Sequence, residues 1–215
     1  MKIKYLAHAS FLVTSDSGTR IITDPYTPTA ELGYGAIKEA ADVVTVSHGH
    51  GDHNNAAAIA GNPRVLDKPG KSSVKGIEFN GVAVYHDDKK GSARGTNIIF
   101  CFKMDGVKVC HLGDLGHKLD DKQIAGVGKV DVLLIPVGGF FTIDARTASE
   151  VSSQIGAKLI IPMHYLTGKI KFPISGVDEF LKDKKNVARH DTGEIEITPK
   201  TIPATPQVVV LKPSL

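Results

Sequence analysis

Val43-Val44-Thr45-Val46-Ser47-His48-Gly49-His50-Gly51-Asp52-His53 decides how this chain is read. The run Val43–Ser47 predicts a buried β-strand that ends at His48. Just past that end, four side chains able to ligate a metal, His48, His50, Asp52 and His53, fall within six residues. Imidazole nitrogen and carboxylate oxygen bind a zinc ion at about 2.0–2.2 Å, so such donors must come close together. Short spacing achieves this, and Gly49 and Gly51 permit the sharp bends it requires. His48 and His50 can converge on one ion from the turn. Asp52 and His53, entering a helix, can face a second ion close by. A polar loop that is merely rich in histidine is the alternative, and four ligand-type residues in six weigh against it.

Upstream, Ile3–Leu6, Phe11–Thr14 and Arg20–Thr23 read as strands, with Asp16-Ser17-Gly18 as a turn and a short helix expected over Ile37–Ala41. Downstream, alanine-rich Asn54–Ala60 predicts a helix that stops at Gly61-Asn62-Pro63. Two hairpins follow. One is expected at Asn80-Gly81, between Gly76–Phe79 and Val82–His86, and one at Asp105-Gly106, between Asn97–Met104 and Val107–Leu112. The second register sets Cys101 opposite Cys110. In a reducing cytoplasm these are expected as two buried thiols, with a cross-strand disulfide as the alternative. From about Leu119 the rhythm changes to a short helix, strand Asp131–Pro136, helix Asp144–Ile155 ending at Gly156, strand Lys158–Pro162 and helix Val177–Lys184. Strands Glu194–Thr198 and Gln207–Leu211 complete the chain. Early hairpins and late β-α alternation argue one α/β domain, residues 1–215, with two sheets.

The 215 residues are 41% hydrophobic and 23% charged, as in ordinary soluble globular proteins. A net charge of +3, with no stretch concentrating Lys and Arg, falls short of a nucleic-acid footprint. The densest basic cluster, Lys182-Asp183-Lys184-Lys185, carries its own acid and reads as a solvated face. The N-terminus opens directly into strand-like alternation without a signal-peptide pattern, and no apolar run has the length to span a bilayer. The expectation is a cytoplasmic protein acting on a small molecule, with no nucleic-acid partner.

His48-x-His50-x-Asp52-His53 after an apolar strand resembles the signature of the metallo-β-lactamase fold superfamily. Asp24-Pro25 after a strand matches its first motif, Gly113-Asp114 its bridging aspartate, and Pro162-Met163-His164-Tyr165 its late histidine. Leu6-Ala7-His8-Ala9-Ser10 and the Pro-Met-His-Tyr run are similar to the branch holding ascorbate-6-phosphate lactonase and N-acyl-phosphatidylethanolamine phospholipase D. The resemblance implies a four-layer αββα sandwich of two mixed sheets with helices outside. It also implies two divalent metal ions, zinc first, with manganese or iron as alternatives. One ion would be held by His48, His50 and His86, the other by Asp52, His53 and His164, and Asp114 would bridge them. Each placement has its own rationale. His86 closes the apolar strand Val82-Ala83-Val84-Tyr85 and opens the polar loop Asp87–Arg94, Asp114 follows Leu112-Gly113 at a strand end, and His164 follows another apolar strand. The branch often has a Gly-rich or Ser-containing stretch after its third-motif histidine. Here His86-Asp87-Asp88-Lys89-Lys90 stands instead, which suggests a charged wall to the pocket.

Other residues carry paired readings. Asp24 either orients a ligand imidazole from behind or is an ordinary turn Asp. His8 either approaches the pocket or is a satisfied core histidine. His111 reads as structural and His190 as surface. His117, three residues past Asp114, either donates a proton to substrate or plays no part in chemistry. Gly138-Gly139-Phe140-Phe141-Thr142 is expected to line the metal cleft, with the two Phe as apolar walls, and Arg94 either meets an anionic substrate or is an exposed Arg before a strand. The function implied is hydrolysis of a small ester, lactone, amide or phosphodiester by a hydroxide shared by two metal ions, with Asp52 or His117 moving protons to the leaving group. Two alternatives differ in class. One is a di-iron redox protein on the same fold, against which the lack of a flavodoxin-like domain weighs. The other is a non-catalytic metal scaffold, against which the full ligand set weighs.

Overall fold

The N-terminal alternation folds into an antiparallel ribbon of β1 (Lys2–Ala7), β2 (Ser10–Thr14) and β3 (Arg20–Thr23). The strand β4 (Val43–Thr45), which leads to the histidine-rich turn, adds in parallel beside β3, and β5 (Arg64–Leu66) adds in parallel beside β4. A late strand, β13 (Glu194–Glu196), returns to pair with β1 and completes a six-stranded sheet. This computed structural model describes all residues, 1–215.

The second sheet has eight strands. Its antiparallel half is β6 (Gly70–Val74), β7 (Ile77–Tyr85), β8 (Thr96–Met104) and β9 (Val107–His111). Its parallel half continues through β10 (Val132–Pro136), β11 (Leu159–Met163), β14 (Gln207–Val210) and β12 (Val187–Arg189). Every residue of β10 and β11 is buried, as in strands covered on both faces. A core of 47 buried residues fills the space between the sheets, with Ile3, Tyr5 and Phe11 from one and Phe100, Phe102 and Val109 from the other, and continues under the helices through Val151 and Phe180. The two packed mixed sheets are those of the expected sandwich, with α-helices outside one of them.

Three helices cover the outside of the eight-stranded sheet: α1 (Asp121–Val127), α2 (Ala145–Ile155) and α3 (Val177–Leu181). α1 packs beside β7, α2 on β10, and α3 on α2. α2 starts where Asp144 accepts a hydrogen bond from the Thr147 N–H and stops at Gly156 in a left-handed cap. No helix is long and apolar enough to cross a membrane.

The outer face of the six-stranded sheet carries no α-helix, which corrects two expectations. Ile37–Ala41 is extended coil, joined to the other segment by an Ala40–Ala60 bridge. Asn54–Ala60 forms only one turn of 3₁₀ helix, Ala56–Ala58. The backbone groups a helix would use are engaged elsewhere, because Asn55 N–H donates to Pro25 C=O at 2.7 Å and Ala41 N–H to Ala60 C=O at 2.9 Å. A few alanines cannot outweigh such bonds, since a short helix is costly to nucleate.

One hairpin is misplaced by local sequence as well. β7 runs straight through Asn80-Gly81, and the β6–β7 turn falls at Lys75-Gly76, both with positive φ. Gly81 serves close approach instead of turning. A Cβ there would lie 3.0 Å from Lys68 O and Pro69 Cα. The Asp105-Gly106 hairpin forms in the expected register, with Cys101 opposite Cys110 and both thiols free and buried. Gly81→Val should therefore destabilise the fold by about 1–3 kcal/mol in urea titrations, an overpacking cost. Protein purified without reductant should yield two reactive thiols per chain once unfolded.

Candidate metal centre

Four strand ends bring polar side chains to one rim of the sandwich, where the two sheets are bonded to each other. Ile98 N–H donates to Ser47 C=O, and His164 N–H to His8 C=O, each at 2.9 Å. Around this seam stand His48, His50, Asp52 and His53 after β4, His86 after β7, Asp114 after β9 and His164 after β11. All seven residues singled out as ligands in the sequence meet here. His53, His86, Asp114 and His164 are fully buried, Asp52 is half-buried, and His50 faces solvent.

The centre of the cluster is Asp114 Oδ2. The Nε2 atoms of His86, His53, His164 and His48 lie 3.2, 3.3, 3.4 and 3.9 Å from it. His50 Nδ1 lies 3.0 Å from His48 Nε2, and Asp52 Oδ2 lies 3.6 Å from His53 Nε2. Two donors about 2.0–2.1 Å from one tetrahedral cation stand roughly 3.4 Å apart, so the spacing is that of ligands sharing ions.

Hydrogen bonds behind the cluster fix which ring nitrogen is free. Ser47 Oγ has one proton and gives it to the Asp24 carboxylate at 2.5 Å. His48 Nδ1–H must then donate to Ser47 Oγ at 2.9 Å, which leaves the Nε2 lone pair turned to the centre. Asp24 Oδ2 likewise accepts from His53 Nδ1–H at 2.9 Å. The buried His53 Nε2 and Asp114 Oδ1 then have no hydrogen-bond partner in the chain. Buried imidazole nitrogens and carboxylate oxygens left without hydrogen-bond partners suit a divalent cation.

The electrostatics agree. Burial, then the neighbouring His53, lower His48 to about 3, so its imidazole is neutral as a ligand must be. Burial would raise the Asp114 carboxyl, but the imidazoles of His164 and His53 outweigh it and hold it well below the usual range. Burial disfavours charge on His53, yet the carboxylates of Asp114 and Asp24 on either side hold it well above an ordinary histidine, so a cation bound at Nε2 would take the place of a proton.

The remaining residues sort cleanly. Asp24 is fully buried and orients His53, as the sequence suggested. His8 belongs to the cluster: its Nε2 is 3.2 Å from Asp52 Oδ2 and its ring lies 4.1 Å from that of His164. Burial, then His164, lower it to about 4. His111 is structural, donating to Ala9 C=O and accepting from Gly113 N–H. His190 lies in none of the clusters.

His117 departs from the expected proton donor. Its Nε2 accepts from Tyr85 N–H at 3.1 Å and its Nδ1–H donates to Lys118 C=O at 2.7 Å. Both nitrogens are occupied by backbone, so the ring ties the end of β7 to the loop after Asp114. Asp87 also departs from a charged wall, because it is buried and turned into its own loop.

Two positioning residues escaped the sequence analysis. Ser47 ends the predicted strand and carries no metal-ligand signal, yet it links Asp24 to His48. Asn97 accepts from Asp114 N–H at 3.1 Å and donates to Leu112 C=O at 2.9 Å, which fixes the Asp114 backbone. Gly116 is a third constraint, since a Cβ there would lie 2.3 Å from His86 C and Asp87 N. Asp24→Ala should lower metal affinity about 10- to 100-fold in chelator competition with the fold retained. Gly116→Ala should displace His86 and do likewise.

The family model described as the beta-lactamase superfamily domain matches residues 2–164, a span holding all seven residues. A UPF0173 metal-dependent hydrolase from Methanospirillum hungatei is 32% identical, with 81% of this chain and 88% of that protein covered. One from Pelotomaculum thermopropionicum is 30% identical, covering 78% and 85%. A crystal structure from Thermotoga maritima, a proposed Zn-dependent hydrolase of the metallo-β-lactamase superfamily, superposes with a TM-score of 0.82 at 41% identity, covering 98% of this chain and 97% of that one. A strand-end cluster of histidines and aspartates, on this sandwich and with these relatives, places the chain in the metallo-β-lactamase superfamily, among its metal-dependent hydrolases.

Proposed function

We propose that the cluster is a dinuclear centre and that the protein hydrolyses a small ester, lactone, amide or phosphodiester. His48, His50 and His86 would hold one cation and Asp52, His53 and His164 the other, with Asp114 available to both. The observation that carries this reading is the approach of four imidazole Nε2 atoms to a single oxygen of Asp114, within 3.2–3.9 Å. Divalent ions held there would lower the pKa of a water from 15.7 towards about 7 and polarise the bond under attack.

The chain itself supplies position and proton transfer. A cavity of about 630 Å³, within the range of small-molecule sites, is lined by His50, Asp52, His86 and Asp114, with Phe141 and Phe172 as apolar walls. Asp52 keeps partial access to this space while His8 hydrogen-bonds its carboxylate. Burial would raise the Asp52 carboxyl, but the His8 bond and the neighbouring His53 outweigh it, so Asp52 is ionised, as a metal ligand must be. We assign proton movement to the leaving group to Asp52. His117 is released from that task, because its ring nitrogens are engaged by backbone.

Metal quantification on purified protein, followed by a screen of lactones, phosphodiesters and acyl esters, tests the proposal. Two zinc, manganese or iron ions per chain and turnover of one class are expected. Iron with oxidase activity and no hydrolysis would replace this reading with a redox one. Asp114→Ala should abolish tight occupancy of at least one site, and two metals held with unchanged affinity would refute its bridging role. Asp52→Asn should lower kcat by about 100-fold or more at neutral pH.

A further inference from the structure

Immediately after His86 the chain folds into a closed loop around one carboxylate. Asp87 Oδ1 accepts from the N–H groups of Lys89 and Gly91, both at 2.8 Å, and Oδ2 from those of Ala93 and Arg94, at 2.9 and 2.7 Å. The loop is then pinned to its strand, because Gly95 N–H donates to Gly91 C=O and His86 N–H to Gly95 C=O, each at 3.0 Å. Such a loop does not serve to expose charge. It fixes one backbone position at its end, that of Arg94.

Arg94 is half-buried, and its guanidinium lies 5.6 Å from the centre of the Phe141 ring. It forms no ion pair or side-chain hydrogen bond within the chain, whereas Arg146 and Arg189 pair with Glu150 and Asp178. Five donors in a rigid fork, partly desolvated and without an acceptor, are suited to a carboxylate or phosphate. The residue lines the same cavity as His50, Asp52, His86 and Asp114. From Arg94 an aromatic wall runs back towards the cluster: Phe141 meets Phe172 edge-on at 5.7 Å, and Phe172 meets His8 at 6.0 Å. Glu31 also lines the cavity but is exposed, where solvent screening leaves it little weight against the guanidinium.

We propose that Arg94, held by the Asp87 loop and stacked on Phe141, anchors the substrate, and that substrates carry a carboxylate or phosphate beyond the scissile bond with an apolar segment between. This deepens the hydrolase reading and rests on it. The apolar segment lies along Phe141 and Phe172, the anion takes two parallel N–H bonds from Arg94, and the scissile bond reaches the histidine cluster. Asp87 is a positioning residue, acting only through the loop.

The test uses zinc-loaded protein and has two arms. In the first, calorimetry measures binding of phenylphosphate, benzoate and neutral benzamide to wild type, Arg94→Gln and Arg94→Lys, at equal metal content. Wild type should bind one anion in preference to benzamide, and Arg94→Gln should weaken that anion about 10- to 100-fold. Arg94→Lys should fall between, because an ammonium cannot fork. The tighter probe identifies the anion as phosphate or carboxylate. In the second arm, Arg94→Gln should raise KM for 4-acetoxybenzoate by a similar factor and leave phenyl acetate within twofold. Anion affinity unchanged in Arg94→Gln would show that the metals alone hold the anion, and would overturn the proposal. Equal losses for neutral and anionic probes would overturn it too. If wild type cleaves neither acetate, ester hydrolysis fails separately, and the binding arm still decides the role of Arg94.

Discussion

The carboxylate of Asp114, buried among four imidazoles, is the interaction on which the rest of this structure depends. Placing so many polar atoms out of water is unfavourable unless each is matched, and the unpartnered His53 Nε2 and Asp114 Oδ1 show that the chain does not match them all. A cation would satisfy them together. The cluster is therefore costly to fold alone and stabilised when loaded, so metal binding and folding share one free energy.

The sandwich is arranged to hold that cluster rigid. Strand ends from both sheets meet at one rim and bond directly across it, so no ligand depends on a long mobile loop. Several residues at this rim adopt left-handed backbone conformations: Asp24 at φ 37°, His8 at 57° and His164 at 51°. Non-glycine residues adopt such angles at a cost of about 1–3 kcal/mol each and cluster where function requires it. Behind them, the Asp24–Ser47 bond fixes the tautomers of His48 and His53. The protein thus selects the nitrogen that faces the centre before any ligand arrives.

The outer side of the six-stranded sheet shows how the same constraint shapes the cleft. Without α-helices there, its covering is coil. Leu6, Ile22 and Val44 on that face pack against Ala41 and Ile59 of the coil, and Tyr26, Leu32 and Tyr34 from one loop pack with Ile170 and Ile174 from another into a further small cluster. These loops frame the cavity, and the aromatic wall from Phe141 to Phe172 completes it. This irregular covering shapes the walls of the cavity, and the sheet ends supply the polar cluster at its base.

Local sequence determined much of this protein. The apolar run ending at His48, the Asp105-Gly106 turn, and the Asp144 and Gly156 caps of α2 are each set by neighbours along the chain, where period, turn chemistry and capping act. Of the seven polar residues, His48, His50, Asp52 and His53 were legible from their short spacing, and His86, Asp114 and His164 from the family resemblance together with their place at strand ends. Tertiary structure decided the remainder. Asn80-Gly81 has the composition of a turn, yet Gly81 is small because Lys68 and Pro69 press on it. Ser47 and Asn97 carry no signal along the chain, since their partners Asp24 and Asp114 are distant in sequence and adjacent only through sheet register. His117 looked catalytic until backbone groups from β7 and its own loop claimed both nitrogens. Asp87 looked like a charged wall until four N–H groups turned it inward. The sequence specifies which donors exist and roughly where the strands end. Only packing of the two sheets specifies which lone pairs remain free, because a hydrogen bond to a distant residue cannot be read from the order of the chain.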